Sequence, residues 1–294
     1  MLHALLAADE RNRVPQGWEL LRPLPPPTRD TFGVDGRVAL TDDELQMPQR
    51  VAPRLLAMHE YGARLPKECL SAMSFALRSE EFISRYRVPS YVAWLQRADV
   101  RPAYEMHRLV LQVLQRLLPT RRWVLKSPVH MHALPTLLAV YPDAQVVVTH
   151  RDPVTVLASV TSLVATLRWV HSDHVDFAEL GAYHADLYCS SLNRLAEQVS
   201  DGTLPADRLT HVSYADLARD PVAAVRALYE RLGVDVDARL VEQLDARSRE
   251  RPKDKHGEHR YSFADVGLDL AETRARVAPY QRAFAVVDEP IENS

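Results

Sequence analysis

The stretch Ala144-Gln-Val-Val-Val-Thr-His150, followed at once by Arg151-Asp152-Pro153, constrains the fold of this chain more than any other segment. A β-branched run of this length suits a strand buried on both faces, as in a parallel sheet. Asp-Pro then marks a helix start, because aspartate caps orphan N–H groups and proline suits the first helical position. Similar punctuation recurs on either side. Arg121–Leu125 is a short strand candidate, and Ser127-Pro128 opens a helix expected to run to Pro142. Leu209–Ser213 is a third strand candidate, and Asp220-Pro221 opens a helix expected to end near Gly233. Alternation of strand and helix predicts an α/β fold with a parallel sheet flanked by helices. Residues 42–118 read as helical throughout, with apolar positions three and four apart in Leu70–Leu77 and His107–Leu118 and a break at Val88-Pro89. Met1–Ala8 has helical character without a cap, and Arg22–Asp30 is a proline-rich surface connector.

Composition narrows the class. The chain has 294 residues, 47% apolar and 26% charged, which excludes disorder as its main state. A net charge of −3 gives no global basic field for nucleic acid or an anionic membrane. No apolar run reaches the roughly 20 residues of a membrane span, and Met1–Ala8 lacks the pattern of a signal peptide. Cys69 and Cys189 are too few for a disulfide framework. The chain therefore reads as cytosolic and reduced. Only four of its 36 basic residues are lysine (Lys67, Lys126, Lys253 and Lys255), so each lysine stands out against arginine. Neither GxxxxGK[ST] nor GxGxxG occurs.

In open α/β sheets, ligands bind beyond the carboxyl ends of the strands. Lys126, Arg151 and Tyr214 directly follow the first, second and third strands. Helix N-termini on the same rim favour anions through their free N–H groups and dipole. Ser159 lies eight residues after Arg151, two turns into the expected helix. Arginine supplies a two-pronged fork to a phosphate, and serine supplies a hydroxyl. Each residue alone has a plain structural reading as a cap, a packing residue or a solvated strand end. Together, Lys-Ser-Pro-x-His, a crossover helix and Arg-Asp-Pro-x5-Ser describe a phosphate or sulfate site.

The segment Trp123–Leu163 (WVLKSPVHMHALPTLLAVYPDAQVVVTHRDPVTVLASVTSL) resembles the core of sulfotransferases that use 3′-phosphoadenosine 5′-phosphosulfate, in the bacterial branch related to protein-tyrosine sulfotransferases. Leu2–Pro27, His211–Gly233 and His256–Leu268 extend the resemblance over most of the chain. It implies a P-loop-NTPase-like parallel sheet in a single domain spanning residues 1–294, with residues 42–118 as a helical insertion on the acceptor side. It also implies roles. Arg151 and Ser159 match the pair that holds the 3′-phosphate, and Tyr214 matches a tyrosine near the adenine. Lys126 matches a strand-end lysine near the bridging oxygen of the phosphosulfate. Glu19 falls close to the acidic residue that serves as base in the tyrosine branch, and His130 is a second base candidate at a different spacing. Lys255, in a basic knot with Lys253 and His256, matches a flap over the 3′-phosphate.

Sulfuryl transfer needs a base for the acceptor hydroxyl and cations where charge grows on the leaving phosphate oxygen. It demands no metal, and His130-x-His132 and His171-x-x-His174 lack further ligands at a supporting spacing. Met58, Phe75, Phe82, Tyr86, Tyr91, Trp94 and Tyr104 line the stretch expected to face the acceptor, which suggests a small apolar molecule carrying a hydroxyl. Two other readings compete. One is a non-catalytic paralogue that binds nucleotide or a partner. The other is a nucleotide-dependent phosphotransferase, which is disfavoured because no Walker lysine and no magnesium-binding pair can be placed.

Relatives in this family carry a first strand and a loop resembling G-x-P-R-S-G-T-T immediately before the helix matched by Met1–Ala8. That loop wraps the 5′-phosphosulfate with backbone N–H groups. The chain begins just after it, so the expectation is an N-terminally truncated sulfotransferase with an internal methionine taken as the start. At this length, it should bind cofactor weakly and turn over little. The upstream genomic sequence should then encode, in frame, a hydrophobic strand and a P-R-S-G-T-T-like loop, and a stop codon there would overturn this expectation.

Overall fold

A computed structural model describes residues 1–120, 122–250, 257, 259 and 262–291. The chain divides into two compact units, residues 1–129 with 235–257, and residues 130–234 with 258–294.

In the first unit, β1 (Asn12–Arg13) pairs in parallel with β2 (Arg122–Trp123), Asn12 opposite Arg122 and Arg13 opposite Trp123. The pairing extends one residue further through Val124 N to Arg13 O at 2.9 Å. The helix Arg101–Gln115 buries Ala103, Tyr104, His107, Val110, Leu111 and Leu114. This three-and-four spacing sets one apolar stripe against the short helix Leu70–Ser74. Leu20, Ala72, Val110 and Leu114 form a core cluster there, with Trp123 against it.

The helical expectation for residues 42–118 needs correction. Helices cover Arg37–Val51, Leu55–Met58, Leu70–Ser74, Glu81–Arg85, Pro89–Leu95 and Arg101–Gln115. Between His59 and Cys69 the chain is not helical and crosses the ends of β1 and β2. Trp18 N donates to Ala63 O (3.0 Å), Gly17 N to Leu65 O (3.1 Å), Lys67 N to Pro15 O (2.9 Å) and Cys69 N to Lys126 O (3.1 Å). Gly62 and Pro66 disfavour a helix in this stretch, and its polar backbone is satisfied by neighbouring loops instead.

In the second unit, β3 (Val146–His150) pairs in parallel with β4 (Leu209–Ser213), in register from Val146 opposite Leu209 to His150 opposite Ser213. As expected, Asp152 caps the helix Pro153–Trp169 through Val154 N (3.0 Å), and Asp220 caps Pro221–Arg231 through Ala223 N (2.9 Å). Ser213 caps Tyr214–Arg219, so a helix begins directly at the end of β4. The long helix Phe177–Ser200 packs against Pro153–Trp169 and the C-terminal helix Leu270–Phe284. Val154, Leu157, Ala158, Tyr188, Cys189, Phe263, Val266 and Val277 make the core between them. At Gly181 the backbone of Val266 comes so near that a Cβ would sit 2.0 Å from its carbonyl oxygen.

The helix expected from Ser127-Pro128 to Pro142 is broken. Pro128–His132 is a 3-10 turn and the α-helix spans only Leu134–Val140, with Pro135 in its first turn. Ser127 does not act as a cap, and its buried Oγ has no hydrogen-bond partner among the described residues.

Histidines tie this second unit together. His150 is hydrogen-bonded through Nδ1 to the Tyr280 hydroxyl (2.7 Å) and through Nε2 to His211 Nδ1 (2.8 Å), joining β3, β4 and the C-terminal helix. His132 pairs with Ser191 Oγ (2.7 Å) and His184 with Thr161 Oγ1 (2.9 Å). Burial pushes His132 and His150 down to about 4 and His184 to about 3. The unfolded chain, with histidines near 6.5, therefore binds more protons than the folded one as pH falls below that value. Stability should be fully present above pH 6.5 and decline toward pH 4, by about 1 kcal/mol per pH unit for each of the three. Thermal midpoints measured from pH 7.5 to 4.5 check this, and a midpoint that stays level or rises on acidification would contradict it.

Candidate functional site

Parallel register brings Arg151 and Tyr214 together in the second unit. Each is the first residue after its strand, and His150 and Ser213 are direct partners, so the two side chains leave the sheet side by side. The Arg151 guanidinium carbon lies 4.3 Å from the centroid of the Tyr214 ring, a cation–π contact that fixes the plane of the fork. That fork holds an oxyanion: Arg151 Nε donates to Glu289 Oε1 at 2.9 Å and Nη2 donates to Oε2 at 2.7 Å. One carboxylate takes both prongs of the fork, the two-point geometry in which a guanidinium pairs with oxyanions.

Asp152, next in sequence, is buried and fully engaged. Its carboxylate accepts from Val154 N, from Arg274 Nη2 (3.1 Å) and from Glu289 N (2.8 Å). The carboxylate that caps the helix thereby also anchors the C-terminal segment. Ser159 is half-buried two turns into the helix that Asp152 begins. Half-buried His130 lies in the 3-10 turn Pro128–His132. Lys255, with Lys253 and His256, lies outside the described residues.

The first unit holds a second charged group around Lys126. Its Nζ donates to Glu68 Oε1, and its carbonyl accepts from Cys69 N. His59 Nε2 lies 4.0 Å from the same carboxylate oxygen, and Lys67 sits 5.6 Å from the Tyr61 ring centroid. Burial opposes ionisation of Glu68, but the charge and hydrogen bond of Lys126, with Lys67 behind it, outweigh it and hold the carboxyl below its usual range. Burial, with Lys126 adding to it, pushes His59 down to about 4, so this imidazole is neutral at pH 7. Its Nδ1 is buried with no hydrogen-bond partner among the described residues. The arrangement is an ionised carboxylate against a lysine, with a neutral histidine alongside.

Glu68 was not among the residues singled out by sequence. The signal open to inspection was Lys67, one of four lysines in an arginine-rich chain, directly before it. Glu19, which was singled out, occupies a different environment. It is wholly buried, accepts from Arg13 Nη2 at 2.5 Å, and closes a capping box by accepting from Gln16 N at 2.9 Å. Arg13 in turn donates to Leu118 O (2.8 Å), Thr120 Oγ1 (3.0 Å) and Leu114 O (3.2 Å), closing the C-terminal end of the helix Arg101–Gln115. Its guanidinium lies over Trp123, 4.6 Å from the ring centroid. Both oxygens of Glu19 thus serve the architecture around β1 and β2.

Among the described residues no group of histidine, cysteine and carboxylate side chains is arranged to hold a metal ion, and no helix is long and apolar enough to cross a membrane.

The chain is similar to solved and curated sulfotransferases. The crystal structure of sulfotransferase STF9 from Mycobacterium avium superposes with a TM-score of 0.82 at 24% identity, over 99% of this chain and 74% of that one. The crystal structure of sulfotransferase STF1 from Mycobacterium tuberculosis H37Rv matches with a TM-score of 0.77 at 30% identity, over 94% of this chain and 72% of that one. The omega-hydroxy-beta-dihydromenaquinone-9 sulfotransferases Stf3 of Mycobacterium bovis and Mycobacterium tuberculosis are each 27% identical over 254 residues, 80% of this chain. The chain spans 59% of the length of these curated relatives. The model of the sulfotransferase family matches residues 1–238, and the chain belongs to that family.

Proposed function

We propose that the protein transfers a sulfuryl group from 3′-phosphoadenosine 5′-phosphosulfate to a hydroxyl of a small apolar acceptor. The observation that carries this reading is the Arg151 fork, stacked on Tyr214 at the ends of two parallel strands and already gripping an oxyanion. A nucleotide 3′-phosphate suits the same fork, with the Ser159 hydroxyl as a further donor and the Tyr214 ring as a neighbour for the adenine. The 3′-phosphate is distant from the reacting sulfur, so its binding energy positions the donor and takes no part in the bond change.

Chemistry falls to Lys126 and Glu68. The acceptor oxygen attacks sulfur in line, the bond from sulfur to the bridging phosphate oxygen breaks, and adenosine 3′,5′-bisphosphate leaves. Lys126 supplies positive charge where negative charge grows on that oxygen. Glu68, ionised beside Lys126, takes the proton of the acceptor hydroxyl and is better placed for this than Glu19, whose two oxygens are engaged and inaccessible. His130 remains the alternative base. The curated relatives are named for an acceptor bearing an omega-hydroxyl on a menaquinone. The exposed aromatic side chains Phe75, Tyr86 and Trp94 agree with an apolar acceptor of that kind.

The test is transfer of labelled sulfate from the nucleotide donor to a panel of apolar alcohols, carbohydrates and peptides, assayed on the full gene product. Lys126→Ala and Glu68→Gln should each lower kcat by about a hundred-fold or more while leaving nucleotide affinity within a few-fold. Modification of carbohydrate or peptide hydroxyls only would overturn the acceptor class. Full kcat in Glu68→Gln, with loss in His130→Gln, would move the base to His130.

A further inference from the structure

The C-terminal segment after Phe284 places a carboxylate on the arginine assigned above to the nucleotide. Ala285 adopts a left-handed conformation (φ 52°) that ends the helix Leu270–Phe284 and turns the chain back. The following residues are then fastened one by one. Val286 N donates to Gln281 O (3.0 Å). The Asp288 carboxylate accepts from Gln281 Nε2 (2.8 Å) and Arg274 Nη1 (2.5 Å). Glu289 N donates to the buried Asp152 carboxylate (2.8 Å), and Val286 and Ile291 pack on the two apolar cores. The main chain at Glu289 is thus held independently of its side chain, which reaches over to the Arg151 fork.

We infer that Glu289 is a built-in competitor for the phosphate of the nucleotide, exchanging for it at Arg151 by a side-chain swing while the backbone strap stays in place. This rests on the assignment of Arg151 to the 3′-phosphate. Two considerations support an exchange. The carboxylate takes both prongs that a phosphate would need, so the two anions cannot share the fork in this geometry. A doubly charged phosphate brought beside an ionised Glu289 would also meet like-charge repulsion. The remaining contacts of the strap run to Asp152, Arg274, Gln281 and the cores, so the side chain can leave without unfastening it. With the fork neutralised and its plane held on Tyr214, the empty protein keeps Arg151 in binding geometry at the cost of some affinity. Anions that bind less strongly than a nucleotide phosphate are thereby screened out.

Calorimetric titration with adenosine 3′,5′-bisphosphate tests this on the chain, on Glu289→Gln and on Arg151→Ala. Glu289→Gln keeps the size of the side chain and removes the charge, and should bind about five- to ten-fold tighter with an unchanged thermal midpoint. Arg151→Ala should lose binding whether or not Glu289 is also replaced. Unchanged or weaker binding by Glu289→Gln, or no binding by either that variant or the parent chain, overturns the exchange. Arg151→Ala binding as well as the parent overturns the assignment of Arg151 to the phosphate, which is a separate failure. Hydrogen exchange across residues 285–291 gives a second check. Protection should stay level on nucleotide binding, and marked loss of it would mean that the whole strap opens, against a side-chain swing.

Discussion

The in-register parallel pairing of β3 with β4 is the constraint on which the proposed nucleotide site depends. Because His150 faces Ser213, the next residues, Arg151 and Tyr214, emerge side by side, Arg151 directly before the cap Asp152 of one helix and Tyr214 as the first residue of the helix that Ser213 caps. A slip of one residue would turn every side chain of one strand to the other face and separate the arginine from the tyrosine. The register is held from behind by His150, which reaches His211 on β4 and Tyr280 on the C-terminal helix. It is held from above by Asp152, whose carboxylate joins the helix start, Arg274 and the C-terminal strap. The rigidity of the arginine fork is therefore a property of the whole second unit.

The first unit uses buried charge in two contrasting ways. Around Arg13 the charges are structural. One guanidinium closes a helix end, neutralises Glu19 and covers Trp123, so a wholly buried carboxylate is satisfied on both oxygens. Around Lys126 the charges are partly open to solvent. Lys126 keeps 43% of its side chain accessible and Glu68 keeps 19%, and the neighbouring His59 stays neutral. Two acidic residues in one unit thus divide into one that organises β1 and β2 and one, partly open to solvent beside Lys126, to which the proposed function assigns the acceptor's proton. Exposure and the number of donors already engaged separate them.

Much of this was legible in the residues. Val146–His150 announces a buried strand by its β-branching, Asp152-Pro153 and Asp220-Pro221 announce helix starts, and the strand-end positions of Arg151 and Tyr214 follow from the boundaries of β3 and β4; Lys126, expected directly after a strand Arg121–Leu125, instead lies three residues beyond Trp123, where β2 ends. Features set by distant chain segments were hidden. Asn12–Arg13 becomes a strand only because Arg122–Trp123 lies beside it, and two residues carry no periodicity to read. Glu68 comes to Lys126 across 58 residues of sequence, from a stretch read as helical with the rest of residues 42–118, in which Gly62 and Pro66 disfavour a helix. Glu289 reaches Arg151 across 138 residues, and nothing local distinguishes it from any other carboxylate near a chain end. Ser127 shows the opposite failure: the local cap-plus-proline signal is sound, but Pro135 stops the helix that would have used it and a 3-10 turn takes its place.

The account's central claim is that Arg151, stacked on Tyr214, reads the 3′-phosphate of a nucleotide sulfate donor. A crystal structure of the chain grown with adenosine 3′,5′-bisphosphate tests it most directly. The predicted result is the 3′-phosphate on the Arg151 fork, the nucleotide beside Tyr214, and the Glu289 side chain turned away. Nucleotide bound elsewhere, with Arg151 still paired to Glu289, would contradict it.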